Sequence, residues 1–191
     1  MLDSVDAVEV IARCGGYYKP SFIAPFIDPV ALRQYLLRRK EHMILTKKFR
    51  CKGEYTYILP AKYVSPYWRY IPFKANTFEI YRSLALLHLY GEKRLLPYTK
   101  ALKRQHFPHI PERFYNGVYP SIKDGIKYCI IVDFYRSEKK LIEIIEKFKA
   151  LERGLIVIVS PHSEHAKVKQ YFEGYRIDII VCEKLNEITG G

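Results

Sequence analysis

Apolar residues in the first part of the chain recur at intervals of three and four positions, which is the period of an amphipathic helix. The pattern predicts a helix over residues 4–14, with Ser4 as its N-cap and two consecutive glycines at its end. One short helix fits within residues 20–25. A third begins at Asp28-Pro29 and runs to residue 40, because aspartate is a good cap and proline suits the first helical position.

Two strand-like segments follow the third helix, at residues 42–49 and 54–59. The segment between them, Arg50-Cys51-Lys52-Gly53, is a basic turn that contains glycine, so the two strands are predicted to form a hairpin. Three helices followed by a basic hairpin resemble the winged helix-turn-helix fold over residues 4–60. In that family the third helix enters the major groove of DNA, and the hairpin, or wing, contacts the phosphate backbone.

The distribution of charge turns this fold into a candidate interface. Residues 33–74 contain eleven basic and two acidic residues, which is +9 of the net +12 of the chain, and nine aromatic residues are interleaved with them. A positive surface with aromatic rings suits a phosphate backbone. The alternative is a solvated basic face above a tyrosine-rich core. The candidate nucleic-acid-binding residues, four on the third helix and four on the hairpin, are Arg33, Gln34, Arg38, Arg39, Lys47, Lys48, Arg50 and Lys52.

The second half of the chain has a different plan. A connector with prolines and aromatic residues, 63–76, leads to an apolar helix over 77–90 that Gly91 closes. Strands and helices then alternate: strands at 113–119, 127–135, 155–159 and 176–181, a hairpin turn at 123–125, and helices at 137–151 and 163–172. Continuous apolar strands indicate a central sheet covered on both faces. The predicted fold class is α/β (α+β overall), with domains at 1–62 and 77–191.

This second half resembles the restriction-endonuclease-like PD-(D/E)XK nucleases, on the residues Ile110-Pro111-Glu112 and Ile131-Val132-Asp133-Phe134-Tyr135. With a winged helix in front, the chain is similar to replication-relaxation proteins of plasmids and to nuclease-like proteins of mobile elements. The resemblance implies an αβα domain with a central mixed sheet. It also implies that Glu112 and Asp133 hold Mg²⁺ or Mn²⁺, which polarises the phosphate and activates the attacking water.

The sequence departs from that family at the lysine that stabilises the developing charge. Tyr135 stands two positions after Asp133, where the family has lysine. In an active enzyme Lys139, Lys140 or Lys147 would have to supply that role, or the role is lost and the enzyme is slower. The candidate catalytic residues are therefore Glu112, Asp133, Lys139 and Lys147. The alternative is that Glu112 belongs to a turn and that Asp133 is a strand-end acid paired with Arg136.

Other chemistries find little support in the sequence. It contains no P-loop, dinucleotide-binding or nucleophile-elbow motif. Its four scattered cysteines predict buried thiols. Of two His-x-x-His pairs, at 106–109 and 162–165, the second could reach a metal ion, but neither has the companion ligands of a zinc finger. With no apolar run that spans a bilayer and no signal-peptide pattern, a cytoplasmic protein is expected.

Three functions remain open, and we expect the first. It is a DNA-binding protein whose degenerate nuclease-like domain is a scaffold or dimerisation unit in the replication, recombination or regulation of a mobile element. The second is an active DNA endonuclease that depends on Mg²⁺ or Mn²⁺. The third is a winged-helix transcription regulator whose second domain senses a ligand. Each has double-stranded DNA as its partner and no membrane, and the sequence leaves a homodimer open.

Overall fold

The computed structural model describes residues 1–41, 44–51, 54–68, 76–98, 117–134, 136–149 and 155–188. The chain divides into two compact units, one formed by Met1–Leu96 with Glu187–Gly191 and the other by Pro97–Asn186. Within the described residues, the chain has one sheet of three strands and one of four. The protein is therefore of mixed α and β class, as the sequence predicts.

The first unit is built around the three-stranded sheet. Its elements are α1 (Ser4–Arg13), β1 (Tyr17–Tyr18), α2 (Pro20–Ile23), α3 (Pro29–Arg38), β2 (Ile44–Cys51), β3 (Glu54–Ile58), α4 (Ala61–Val64) and α5 (Thr77–Lys93). The strands are antiparallel in the order β1-β3-β2. Three helices and a strand pair follow in the predicted order. Strand β1 was not predicted, because two tyrosines are too few to mark a strand by periodicity.

Side chains set the ends of these helices. Asp3, and not the predicted Ser4, caps α1, because its carboxylate accepts hydrogen bonds from two amides of the first turn. Asp28 caps α3 as predicted. Helix α5 continues past Gly91, its predicted end, and stops at Arg94, which takes the left-handed conformation at φ 56°. A glycine inside a helix weakens it by only about 1 kcal/mol, and packing of α5 outweighs that loss.

Helix α5 is the buried helix of the first unit. Its side chains at Ile80, Tyr81, Leu84 and Leu87 are fully buried, and it packs on α1, α2 and β1. The sequence pattern predicts this helix at the start of the second domain, whereas the structure groups it with the first unit. A helix that is apolar on several sides needs cover on each of them, and the preceding helices provide it.

The second unit is built around the four-stranded mixed sheet. Its elements are β4 (Val118–Lys123), β5 (Ile126–Val132), α6 (Glu138–Lys149), β6 (Leu155–Ser160), a 3₁₀ helix (Ser163–Phe172), β7 (Ile177–Val181) and a second 3₁₀ helix (Glu183–Ile188), which extends into the first unit. The strand order is β4-β5-β6-β7. Strands β4 and β5 are antiparallel, whereas β5, β6 and β7 are parallel. Parallel neighbours bring the carboxyl ends of β5, β6 and β7 to one edge of the sheet.

The turn and the packing of this sheet follow the predicted pattern. Asp124 and Gly125 join β4 to β5 with φ values of 52° and 75°, which suits the tight hairpin turn expected there. One face of the sheet packs against α6 and the first 3₁₀ helix, through Phe148 and Phe172 among others. Residues of β5 and β6 on the opposite face, such as Ile130, are buried as well. The predicted strand at 113–119 lies partly outside the described residues, and β4 begins at Val118.

Three of the four cysteines lie in the described core. Cys14, Cys129 and Cys182 are buried and form no disulfide, and burial raises the pKa of the Cys14 thiol above its ordinary value. Such thiols are predicted to be unreactive in the folded chain. In the part of the chain that the structure describes, no helix combines the length and the apolar character needed to cross a bilayer.

Candidate functional site

The first candidate site is the outward face of α3. Leu32 and Leu36 are fully buried and fix the orientation of the helix. Arg33, Gln34 and Arg38 are exposed. The helical period of 3.6 residues places Gln34 and Arg38 on the side opposite the two leucines and Arg33 on the adjoining flank. The structure therefore brings three of the predicted nucleic-acid-binding residues onto one surface, which we call the α3 face.

Exposed aliphatic side chains share the α3 face with the basic residues. Val30 is 60% exposed and Leu37 is 54% exposed. At helical spacing they lie between the arginines. Aliphatic groups next to arginine and glutamine are useful on the floor of the major groove, where thymine methyl groups and base edges alternate.

Arg39, the fourth predicted residue of this helix, is turned elsewhere. Its Nε lies 3.5 Å from Oε1 of Glu41, and its guanidinium lies over the ring of Tyr35, 5.3 Å from the ring centre. Glu41 also accepts hydrogen bonds from the ammonium of Lys62 and the hydroxyl of Tyr63. Arg39 therefore joins a cluster that ties the end of α3 to α4, and it does not belong to the α3 face.

The cluster around Glu41 predicts a dependence of stability on pH. Hydrogen bonds from Lys62 and Tyr63 lower the pKa of the Glu41 carboxyl below its ordinary value. Its contribution to stability is therefore present above the pKa of the unfolded chain and is lost as the pH falls through the lowered, folded-state pKa. We expect Glu41→Gln to melt below wild type at neutral pH, and the gap in Tm to close in acid. An equal gap at both pH values, measured by circular dichroism, would contradict this assignment.

The predicted wing residues are placed only by their backbone. Lys47, Lys48 and Arg50 lie on β2, which is the outer strand of the sheet order β1-β3-β2. Lys52 lies outside the described residues. Three of the four predicted cations therefore lie on a strand that pairs with β3 alone among the described strands.

The second candidate site lies at the carboxyl ends of β5 and β6 in the second unit. Asp133 directly follows β5, Ser160 is the last residue of β6, and His165 lies in the first 3₁₀ helix. Asp133 and Ser160 are 0% exposed and His165 is 4% exposed. The amide of Asp133 donates to the carbonyl of Val159 at 2.9 Å, which holds the two strand ends together. Ligands of open α/β sheets commonly bind at this edge.

The carboxylate of Asp133 is the centre of this site. Its Oδ2 lies 2.6 Å from Nδ1 of His165 and 3.1 Å from Oγ of Ser160. Its Oδ1 accepts the amide hydrogen of Arg136 at 3.1 Å. Oγ of Ser160 also accepts from the amide of His162 at 3.1 Å, and its hydroxyl donates to the carboxylate, which is nearer than its other oxygen acceptor, the carbonyl of His162 at 3.4 Å. Nδ1 of His165 then donates to Asp133, and Nε2 is the nitrogen left for other partners.

This geometry differs from that of a serine hydrolase. In a Ser-His-Asp triad the aspartate binds one ring nitrogen and the serine faces the other. Here Oγ of Ser160 lies 3.1 Å from Nδ1 of His165, the nitrogen that faces Asp133. His165 is therefore not placed to activate Ser160 through Nε2. The arrangement fixes the ring orientation and tautomer of His165. Nε2 is therefore the atom of this group that can bind a proton, a metal ion or another ligand.

A second histidine extends this group toward solvent. The ring centre of His162 lies 4.9 Å from that of His165, with the two rings inclined at 63°. Its side chain is 29% exposed, and its Nδ1 lies 3.9 Å from Oε1 of Glu164. The carbonyl of Pro161 accepts a hydrogen bond from Asn186 at 3.0 Å. We call Asp133, Ser160, His162 and His165 the acid–histidine centre.

The predicted catalytic residues are only partly placed. Glu112 lies outside the described residues. Lys139 and Lys147 are exposed on α6. Arg136 meets Asp133 through its backbone amide, and its guanidinium donates to the Val132 carbonyl at 2.7 Å.

The oxygen-rich site implied for Mg²⁺ or Mn²⁺ does not fit the described residues. Both oxygens of Asp133 already have protein donors, and within the described ranges no group of three or more His, Cys, Asp or Glu residues could hold a metal ion. Mg²⁺ requires several oxygen ligands in near-octahedral geometry.

Sequence reasoning missed the contact between Asp133 and His165. The sequence carried a signal only for the approach of Asp133 to Ser160, because an acid after one parallel strand and a serine at the end of the next lie at one edge of the sheet. The register of the strands, with Val132 opposite Val159, sets that contact. The histidine follows five residues after Ser160, and only the tertiary fold returns it to the acid.

Comparison with known proteins adds no relative from which a role could be transferred. No family model and no curated protein matches the chain. The two candidate sites are therefore interpreted from their own geometry and charge.

Proposed function

We propose that this protein binds duplex DNA through the α3 face, with the basic strand β2 as a neighbouring phosphate contact. The observation that carries the proposal is the exposure of Arg33, Gln34 and Arg38 on one side of a helix whose other side is anchored by buried leucines. A rigid helix that presents long donors in one direction is suited to the major groove.

The charge around the α3 face supports the same function. The segment from residue 33 to 74 carries +9 of the net +12 of the chain. Each phosphate that a cation neutralises releases a counterion, so affinity should fall steeply with salt. Arginine and glutamine bind base edges in pairs of hydrogen bonds, whereas lysines on a strand position the phosphates. The two elements therefore have separable roles.

The test is the affinity of the full chain for a labelled duplex, measured by fluorescence anisotropy. An arginine in contact with a base contributes about 1–3 kcal/mol, so the double variant Arg33→Ala with Arg38→Ala should raise Kd at least tenfold. Lys139→Ala with Arg176→Ala removes the same charge from exposed positions of the second unit and should change Kd far less. Equal losses in the two double variants would attribute binding to net charge alone.

Substitutions on strand β2 should change the DNA affinity in a different way from substitutions on the α3 face. Lys47→Ala with Lys48→Ala should weaken binding to all sequences alike and reduce the slope of log Kd against log salt. Arg38→Ala should instead reduce the difference in affinity between preferred and other sequences. Affinity that does not change between low and moderate salt would exclude DNA binding of this kind.

We propose further that the second unit is a scaffold that does not cut DNA, as expected for a degenerate member of the nuclease-like class. Asp133 supports this, because it is fully buried and its carboxylate is engaged by the acid–histidine centre. Incubation with supercoiled DNA and Mg²⁺ or Mn²⁺ is the test. Cleavage by wild type that disappears in Asp133→Ala would overturn the scaffold role and favour an active endonuclease.

A further inference from the structure

We propose that His162 and His165 bind one divalent transition-metal ion of the class that prefers imidazole nitrogen, such as Zn²⁺ or Ni²⁺. The site would lie at the carboxyl edge of the parallel strands, and it is separate from the oxygen-ligated Mg²⁺ site implied by the nuclease resemblance. Imidazole ligands suit Zn²⁺, Ni²⁺ and Cu²⁺, whereas carboxylate and water ligands suit Mg²⁺ and Mn²⁺.

The orientation of His165 is that of a metal ligand. Histidines that bind metals nearly always donate their second ring nitrogen to a carboxylate or a carbonyl, which fixes the tautomer and raises the basicity of the ligating nitrogen. Nδ1 of His165 lies 2.6 Å from Oδ2 of Asp133. Among the described residues, its Nε2 has no hydrogen-bond partner. Asp133 is thus a positioning residue, and Nε2 is the ligand atom.

His162 lies at the solvent side of the pair. Its Nδ1 lies 3.9 Å from the carboxylate of Glu164, which is too long for a hydrogen bond, and 29% of its side chain is exposed. A carboxylate therefore lies on the Nδ1 side of both rings, in hydrogen-bond contact with His165 alone, and Nε2 is the nitrogen of each ring on the other side. The exposure of His162 gives an ion a route to the site.

The spacing of the two rings fits a shared ion. With metal–nitrogen bonds of 2.0–2.1 Å, each ring centre lies about 3.2 Å from the metal, and two ligands at 90–109° have ring centres about 4.5–5.2 Å apart. The observed separation is 4.9 Å. The ring-centre spacing is therefore compatible with one shared ion.

The backbone that carries His162 is held in place. Its amide donates to Oγ of Ser160 at 3.1 Å, and the hydroxyl of Ser160 donates to Asp133. Asn186 donates to the carbonyl of Pro161 between them. Ligands positioned by such a network bind with little loss of conformational freedom. The described residues supply two ligands, so water or a substrate oxygen completes the coordination and keeps the site open to exchange.

The experiment is a titration of the full, tag-free chain with Zn²⁺ or Ni²⁺ alone, followed by isothermal titration calorimetry. We expect the wild-type chain to bind one equivalent of metal ion saturably, and we expect this binding to require His162. His162→Gln keeps the buried contact between Asp133 and His165, so it should fold, and it should raise Kd at least tenfold. Asp133→Asn is expected to raise Kd by about 10–100-fold with both ligands still present, which is the usual effect of removing an orienting partner.

The other His-x-x-His pair of the chain, His106 and His109, provides the matched control. His109→Gln should leave the saturable equivalent unchanged, and circular dichroism should report native folding for each variant. Absence of saturable binding in wild type would overturn the proposal. So would binding that survives His162→Gln and disappears in His109→Gln. Because no DNA is present in the titration, its outcome is independent of the proposed DNA binding.

Discussion

Replacing Asp133 with alanine should lower the free energy of unfolding of the second unit by several kcal/mol, because each buried polar group that loses its partner costs about 1–3 kcal/mol. The carboxylate is 0% exposed, and it holds Nδ1 of His165, the hydroxyl of Ser160 and the amide of Arg136. Alanine removes the acceptor of all three groups, and two of them, on His165 and Ser160, belong to buried side chains. An unsatisfied buried group is costly because it has lost its hydrogen bonds to water.

Hydrogen exchange is the suitable measurement, because it reports on β5 and β6 directly. The single tryptophan, Trp68, lies in the first unit, so its fluorescence would not report on these strands. In Asp133→Ala the amides of 129–132 and 156–159 should exchange much faster than in wild type. Exchange within experimental error of wild type would show that the acid–histidine centre does not stabilise the strand ends.

Two further variants separate charge from shape. Asp133→Asn keeps an oxygen that accepts from Arg136 but removes the charge opposite His165, so its loss of stability should be smaller than that of alanine. Glu164→Ala removes an acid whose side chain is 61% exposed, and exposed substitutions usually change stability by less than about 0.5 kcal/mol. A destabilisation as large in Glu164→Ala as in Asp133→Ala would mean that general electrostatics, and not the buried contacts, are responsible.

The sequence predicted those parts of the fold that local patterns determine. Helix α3 begins at Asp28-Pro29 as expected, because cap and proline act within a few residues. The turn at Asp124-Gly125 was likewise visible, since both residues tolerate positive φ. Helix α5 was found but assigned to the wrong unit. Its apolar residues report that it is buried, and they carry no information on which neighbours cover it.

In the candidate sites, too, the sequence predicted the features that depend on local spacing and missed those that depend on tertiary contacts. Arg33, Gln34 and Arg38 were predicted from residue type and helical period, and their exposure follows from the same period. Arg39 was grouped with them, but it contacts Glu41 and Tyr35, because residues four apart are neighbours on the surface of a helix. The contact between Asp133 and His165 joins residues 32 positions apart. Such a contact depends on strand register, which composition and spacing leave undetermined.

The hydrogen bond between Gly117 and Val132, directly before Asp133, predicts a second large loss of stability, on substitution of Gly117. This residue precedes β4 with φ +77°, and its carbonyl accepts the amide of Val132 at 2.7 Å. A Cβ at this position would lie 2.9 Å from the carbonyl oxygen of Val132 and 2.8 Å from Nη2 of Arg136. The arginine can move, but Val132 belongs to the backbone of β5, directly before Asp133. We therefore expect Gly117→Ala to displace the strand end that positions Asp133.

Gly125 offers a nearly ideal control for that substitution. Its φ is +75°, and a Cβ there would have no atom within 4 Å. The left-handed conformation alone costs an alanine about 1–2 kcal/mol, so Gly125→Ala should be destabilised by about that amount. Gly117→Ala adds the clash with Val132 and should be destabilised by roughly 1–3 kcal/mol more, in the range found for overpacking. Urea unfolding of the two variants measures the difference. Equal urea midpoints would mean that the backbone conformation explains both losses of stability and that Val132 moves at no cost in free energy. A larger midpoint shift for Gly117→Ala, with faster hydrogen exchange at the amide of Asp133, would place the strain at the acid–histidine centre.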